Sequence, residues 1–311
     1  MGHQGGHALR ICVTGSTGLI GRSLCDVLAG EGHQVIRLRR DASDFGPNDV
    51  LCNQDGEIED VGLLEDLDAI VHLAGEPILG FRWTAKKKNR IWESRVRNTK
   101  WLVRVVSRLQ KPPRVLVSSS AVGYYGDRGS DFLTEDSEQG RGFLSELCVA
   151  WENEAQQAAQ IGVRVVNLRT GLVLTPSGGA LGTMLLPFKF GLGGVLGNGR
   201  QYVNWIDHGD MLRLIIHVIQ DGSVNGPVNA TSPHPVTNSI FTNILGRVIN
   251  RPTFIPIPEF AVKILLGEMG VETLLSSTRA LPSVAEGAGF EFLYPDLEES
   301  LRYQLGKSLP G

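Results

Sequence analysis

RICVTGSTGLIGRSLCDVLAGEGHQVIRLRR, residues 10–40, decides the fold of this chain. The run ICVTG at 11–15 is apolar and β-prone, 23–30 carries helical spacing, and GHQVIRL at 32–38 is a second β-prone run. Strand, turn, helix, strand in that order is a βαβ unit. Outward from it, apolar runs recur at 69–74, 114–118 and 163–168, and helix-like stretches at 84–109 and 143–160 separate them. Such alternation specifies a parallel sheet covered by helices on both faces. The expected fold class is therefore α/β, a Rossmann-type doubly wound parallel sheet with a smaller mixed C-terminal substrate domain. Residues 176–200, PSGGALGTMLLPFKFGLGGVLGNGR, mix glycine with apolar residues and read as a substrate-side loop or cap. A helix-like stretch after Asp207 and the run VNGPVNA at 224–230 return to the sheet. The expected boundaries are 8–174 with 205–232 for the sheet domain, and 175–204 with 233–311 for the substrate side.

Within the opening unit, TGSTGLIG at 14–21 follows a strand and starts a helix. Gly15 permits the tight turn, Gly18 lets the backbone approach a pyrophosphate, and Gly21 allows the helix to pack closely on the strand. Ser16, Thr17, Leu19 and Ile20 complete the loop, whose helix end offers unpaired amides and a positive dipole. The expected ligand is a nicotinamide dinucleotide. At the end of the second strand a carboxylate would accept from the adenosine ribose hydroxyls and repel a 2′-phosphate. This chain has Arg37, Arg39 and Arg40 there instead. A guanidinium pairs well with phosphate, so NADP is expected ahead of NAD, with Arg39 and Arg40 as its contacts.

The bulk composition narrows the rest. With 30 Lys and Arg against 33 Asp and Glu the net charge is −3, whereas a phosphate-backbone binder shows a basic surplus, so no nucleic-acid partner is expected. Hydrophobic residues at 42% support a large core in a chain of 311 residues, and no run suggests a membrane segment. The four cysteines, Cys12, Cys25, Cys52 and Cys148, have no CxxC spacing and read as reduced thiols. The opening MGHQGGHALR lacks an apolar signal segment and reads as a tail, so a cytoplasmic monomer or homodimer is expected. The Lys86, Lys87, Lys88 run reads as a solvated helix face.

These pieces resemble the extended short-chain dehydrogenase/reductases and their NAD-dependent epimerase/dehydratase relatives. The resemblance rests on TGSTGLIG, VHLAGE at 71–76, VSSSAVGYYG at 117–126, LRTG at 168–171 and WIDHGD at 205–210. SR at 94–95, FLSELCVAWE at 143–152, LPFKFGLGG at 186–194 and GFEF at 289–292 are similar to one atypical epimerase-like subfamily. The resemblance implies that Leu73, Ala74 and Gly75 line the cofactor. It places Ser120 at the catalytic Ser/Thr that donates to the reacting oxygen of the substrate, and Arg95 where an Asn often faces the nicotinamide ribose.

One motif is broken. The family's Tyr-x-x-x-Lys falls on Phe143 and Leu147, which cannot exchange a proton. Tyr124 and Tyr125, with Glu146 and Cys148 further off, are the candidate proton donors, and Arg95 could supply the positive charge that a tyrosine needs. The open alternative is that Arg95 lies on a helix surface and both tyrosines pack the core. Trp151 reads as core and Glu152 as a solvated helix residue. His72 reads as a satisfied buried histidine rather than a ligand. Asp207, His208 and Asp210 read as a strand-to-helix turn with an aspartate cap, not a metal set. Met184, Pro187, Phe188, Lys189, Arg200, Gln201 and Trp205 are the expected pocket, suited to a small-molecule substrate. Two functions stay open. One is an NADP-dependent oxidoreductase or epimerase-like enzyme acting on a small carbonyl or sugar-type substrate; the other is a non-catalytic NADP sensor or partner-binding protein.

Overall fold

Strands β1 (Arg10–Thr14), β2 (Gln34–Arg39), β3 (Asp49–Leu51), β4 (Ala69–His72), β5 (Val115–Ala121), β6 (Arg164–Thr170) and β7 (Gly226–Ala230) form one sheet. The computed structural model describes residues 8–40, 46, 48–52, 58 and 61–308. The N-terminal tail 1–7 lies outside the described residues. The strand order is 3-2-1-4-5-6-7 and every pairing is parallel. Chain order reverses between β1 and β4, and the carboxyl ends flanking that point form the crevice where open α/β sheets take ligands.

Unbroken apolar strands follow from burial on both faces. Ile11, Val13, Val71, Val117 and Val166 point to one side, where Leu24 and Leu28 of α1 (Leu19–Gly30) meet them. Cys12, Ile70, Leu116 and Val165 point to the other, under Leu102 and Val106. Those two residues belong to α3 (Asn98–Val106), which continues α2 (Ala85–Trp92) through a π-helical turn at Glu93–Arg97. Helix α4 (Phe143–Gln156) packs beside α3.

The expected loop at 176–200 contains a helix, α5 (Gly179–Lys189). Its Leu181, Leu185 and Phe188 form a smaller core with Trp205 and with Phe241 and Leu245. This core therefore holds Phe188 and Trp205, two residues expected in the pocket. Helix α6 (His208–Gln220) starts on Asp207, whose Oδ1 accepts from the Gly209 amide at 2.7 Å. Asp210 accepts from the amides of Leu293 and Tyr294, each at 2.9 Å, so both aspartates serve structure. Helices α7 (Asn238–Val248), α8 (Glu259–Gly270), α9 (Ser283–Gly287) and α10 (Leu297–Gln304) complete the C-terminal part. Among the described residues no helix is long and apolar enough to cross a membrane.

Candidate functional site

The glycine loop has the shape a diphosphate needs. Gly15 has φ +69°, and a Cβ there would stand 2.8 Å from the Ala74 nitrogen and 2.8 Å from the Leu73 carbonyl carbon. A Cβ on Gly21 would lie 2.2 Å from the Gly15 oxygen. Gly18 caps α1 without any side-chain hydrogen bond, and the first turn carries no acid, so its amides are left bare. Ser16 is buried with its Oγ unpartnered. Bare amides, an orphaned hydroxyl and glycines that let the loop close on itself and on the Leu73–Ala74 backbone all fit a bound pyrophosphate.

At the end of β2, Arg37 meets Asp49 of β3 through Nε at 2.6 Å and Nη2 at 2.8 Å, and Arg39 reaches the same carboxylate at 3.2 Å. Burial opposes the charge of Asp49, yet Arg37, the Gly46 amide and Arg39 together hold its carboxyl below the ordinary value. Arg40 is exposed. Sequence reading found no acid at this strand end, because Asp49 arrives from the neighbouring strand. Two guanidinium groups, of Arg37 and Arg39, share this one carboxylate.

The end of β4 is locked from below. His72 Nδ1 lies 2.7 Å from Thr14 Oγ1 and its Nε2 lies 3.0 Å from Thr99 Oγ1. Burial pushes this imidazole down to about 4, so it is neutral and structural. Leu73, Ala74 and Gly75 follow at the mouth. A Cβ on Gly75 would touch the Arg95 guanidinium, 3.2 Å from Cζ. Arg95 is turned inward by the π-helical turn and is 8% exposed, not a helix-surface residue. Its Nη1 donates to the Glu76 carbonyl at 2.9 Å, and its cation sits 5.2 Å from the Trp151 ring.

Behind β5, Ser120 and Tyr125 are joined through Glu152 and Arg169. Ser120 Oγ donates to Glu152 Oε1 at 2.6 Å. Glu152 in turn receives Nε and Nη2 of Arg169, both at 2.9 Å. The Arg169 Nη1 donates to the Tyr125 hydroxyl at 3.0 Å, and that hydroxyl donates to Asn229 Oδ1 at 2.7 Å. Burial pushes the Tyr125 phenol up to about 12. Tyr124 is half-buried, with the Arg169 guanidinium 3.4 Å from its ring centre. Strand alternation accounts for this. Ala121 presents to the cavity and Ser120 to α4, where its hydroxyl meets Glu152. Glu152, expected in solvent, is instead the hub of the network. An arginine inside the apolar run VVNLRTG was the available signal, since a buried guanidinium requires an anionic partner.

Apolar packing fills the places of the missing tyrosine and lysine. Leu147 is buried with Trp83, Ile91 and Met269, and Phe143 packs edge-on to Trp83 at 5.3 Å. Lys88 stands 4.5 Å over the Phe143 ring and pairs with Glu268, while Lys87 pairs with Glu76, so this basic run links elements rather than lying free in solvent. The first amides of α4, on Phe143 and Leu144, donate to Glu272 Oε1 and Oε2 at 2.9 and 2.8 Å. No sequence signal predicted that cap.

A cavity of about 1060 Å³ opens beyond the ends of β5 and β6. Its walls include Ala121, Gly123 and Gly171 on the sheet side, Met184 of α5, and Glu272 and Ser277 of the C-terminal part. Of the expected pocket residues, Met184, Arg200 and Gln201 line it, whereas exposed Pro187 and Lys189 lie on α5 away from the lining. Ser120, Tyr124 and Tyr125 do not line it either. Gly178 and Gly179, just before the cavity-lining Ala180, abut Leu19 of α1, whereas no residue of the glycine loop itself lines the cavity.

A doubly wound sheet, a bare glycine loop and an adjoining cavity define a dinucleotide-binding protein of the extended short-chain type. The chain belongs to the NAD dependent epimerase/dehydratase family, which residues 11–230 match, and residues 257–304 match a domain of unknown function, DUF1731. It is 40% identical over 293 residues to the epimerase family protein Mb2239 of Mycobacterium bovis, covering 94% of this chain and 96% of that protein. The human epimerase family protein SDR39U1, crystallised with NADPH, superposes with a TM-score of 0.86 at 30% identity, covering 96% of this chain and 99% of that one. A nucleoside-diphosphate sugar epimerase from Corynebacterium glutamicum gives a TM-score of 0.79 at 33% identity, covering 96% of this chain and 58% of that longer one.

Proposed function

We propose that this chain binds NADP(H) across the β1/β4 switch point and acts as an oxidoreductase or epimerase-like enzyme on a small carbonyl or sugar-type substrate held in the cavity. One observation carries the reading: the bare amides of α1 follow the carboxyl end of β1, on the same edge of the parallel sheet as the ends of β5 and β6 that line the cavity. Gly15 through Gly21, with Ser16, Thr17, Leu19 and Ile20, hold the pyrophosphate. Arg39 and Arg40 meet the 2′-phosphate, Leu73, Ala74 and Gly75 floor the nicotinamide half, and Arg95 flanks it. The NADPH bound by the human relative and the sugar epimerase among the solved neighbours support this assignment. Bound there, the nicotinamide would give or take a hydride. Ser120, Glu152, Arg169 and Tyr125 position the end of β5 as a rigid wall. The proton then passes through some group other than a tyrosine–lysine pair at the start of α4, a reading supported by the apolar packing of Phe143 and Leu147 there.

The test is isothermal titration of the purified chain with NADPH and NADH, followed by reduced-dinucleotide absorbance against a panel of carbonyl compounds and nucleotide sugars. Tight NADPH binding with turnover of one class supports the proposal. No heat with either dinucleotide overturns it. A second reading, a dinucleotide-binding protein without turnover, is favoured by the apolar cluster at Phe143 and Leu147. NADPH binding without turnover on any panel member supports that reading instead.

A further inference from the structure

We infer that Arg95 makes this chain select the reduced over the oxidised dinucleotide. The inference rests on the dinucleotide reading above and concerns which redox form the crevice prefers. The glycine loop and β2 take the adenosine half, so the crevice wall at the ends of β4 and β5 faces the nicotinamide half. The Arg95 guanidinium stands directly against Gly75, just past the end of β4. A Cβ on Gly75 would stand 3.3 Å from Nη2.

Among the described residues this cation has no neutralising partner. Its Nη1 is engaged by the Glu76 carbonyl, which carries no net charge, and its buried Nε has no partner. The acid whose field reaches it, Glu76, is itself paired to Lys87 at 2.8 Å and to Arg90 at 3.6 Å. Cys148 is also near, but burial pushes that thiol up to about 12, so it is protonated and neutral. Trp151, beneath the guanidinium, has its own indole Nε1–H buried without an acceptor. Donors therefore gather beside Gly75, and no anion among the described residues answers them. Burial pushes the guanidinium down to about 10, which still leaves it charged at neutral pH. A buried, uncompensated charge destabilises a fold, so its presence just past the end of β4 points to a ligand.

The two redox forms differ in one relevant respect. The oxidised nicotinamide ring is a pyridinium with a full positive charge, and the reduced ring is neutral. The phosphates are the same in both forms and cancel in the ratio of affinities. A fixed cation on the nicotinamide side therefore repels only the oxidised form. Through an effective dielectric near 20, repulsion between two unit charges changes an equilibrium by roughly tenfold at separations on the order of 12 Å.

The experiment is calorimetric titration of the full chain with NADPH and with NADP⁺ at one ionic strength, repeated with Arg95→Met and Arg95→Lys. The wild type is expected to favour NADPH. Arg95→Met should lower the NADPH preference about tenfold, chiefly by tightening NADP⁺, while Arg95→Lys keeps it. A wild-type ratio at or below one overturns the inference without recourse to any variant. So does a folded Arg95→Met protein whose ratio is unchanged, or whose two affinities fall together. Failure of the wild type to bind either form instead removes the dinucleotide reading beneath it.

Discussion

Glu152→Met should destabilise the protein far more than its place on a helix suggests. Its carboxylate makes two charge-assisted hydrogen bonds to Arg169 at 2.9 Å and accepts from Ser120 at 2.6 Å. The Arg169 side chain is only 4% exposed, and that of Glu152 is 11% exposed. Burial works against the Arg169 charge, but Glu152 and Tyr125 hold the guanidinium above its ordinary value. Removing one partner of such a pair costs about 3–5 kcal/mol, since the other charge is left unanswered. Arg169 keeps the Tyr125 hydroxyl and the Glu135 carbonyl as acceptors, which places the loss near ~3 kcal/mol. The orphaned Ser120 hydroxyl adds ~1 kcal/mol. Adding Arg169→Met deletes the stranded charge, so the double variant should be more stable than Glu152→Met alone. Equilibrium urea unfolding of wild type, both singles and the double gives the cycle. A Glu152→Met loss below ~1 kcal/mol, or simple additivity of the two changes, would refute the reasoning.

Three further expectations can be measured independently. Gly15→Ala forces a Cβ to 2.8 Å from backbone at φ +69° and should weaken NADPH binding at least tenfold while lowering stability by ~2 kcal/mol; an unaltered titration would contradict the loop geometry. Arg39→Ala with Arg40→Ala should weaken NADPH by about 1–3 kcal/mol and leave NADH nearly unchanged; equal losses would remove the 2′-phosphate role. His72 is neutral in the native state down to about 4, whereas the unfolded chain takes up that proton below 6.5. Native stability due to His72 is therefore complete above pH 6.5 and declines as pH falls toward 4, by up to ~3 kcal/mol. His72→Gln should lack this component, and identical pH slopes for variant and wild type would count against it.

The sheet was legible because its strands are buried on both faces, which leaves continuous apolar runs such as VLV at 115–117. The glycine loop was legible because the backbone geometry there admits few residues. Helix α5 was missed for the opposite reason: Gly179, Gly182 and Pro187 all disfavour a helix, yet Leu181, Leu185 and Phe188 at helical spacing pack into the C-terminal core and prevail. The candidate site was legible only in part. Arg95 stands beside Gly75, a contact that no spacing in the sequence announced, and the motif matching Ser120 could not show which face of β5 that serine takes. The pairs Arg37–Asp49 and Glu152–Arg169 join separate elements and leave no spacing to read.

The Glu272 carboxylate that begins α4 has a consequence for how this protein is made. Phe143 and its cap are 129 residues apart in the chain. At ribosomal speeds of about 5–20 residues per second, roughly 6–26 s pass between synthesis of the helix start and synthesis of the group that closes it. During that interval the first turn of α4 has water in place of its carboxylate. Chains arrested before residue 272 should accordingly exchange the Phe143 and Leu144 amide protons freely, and completed chains should retain them.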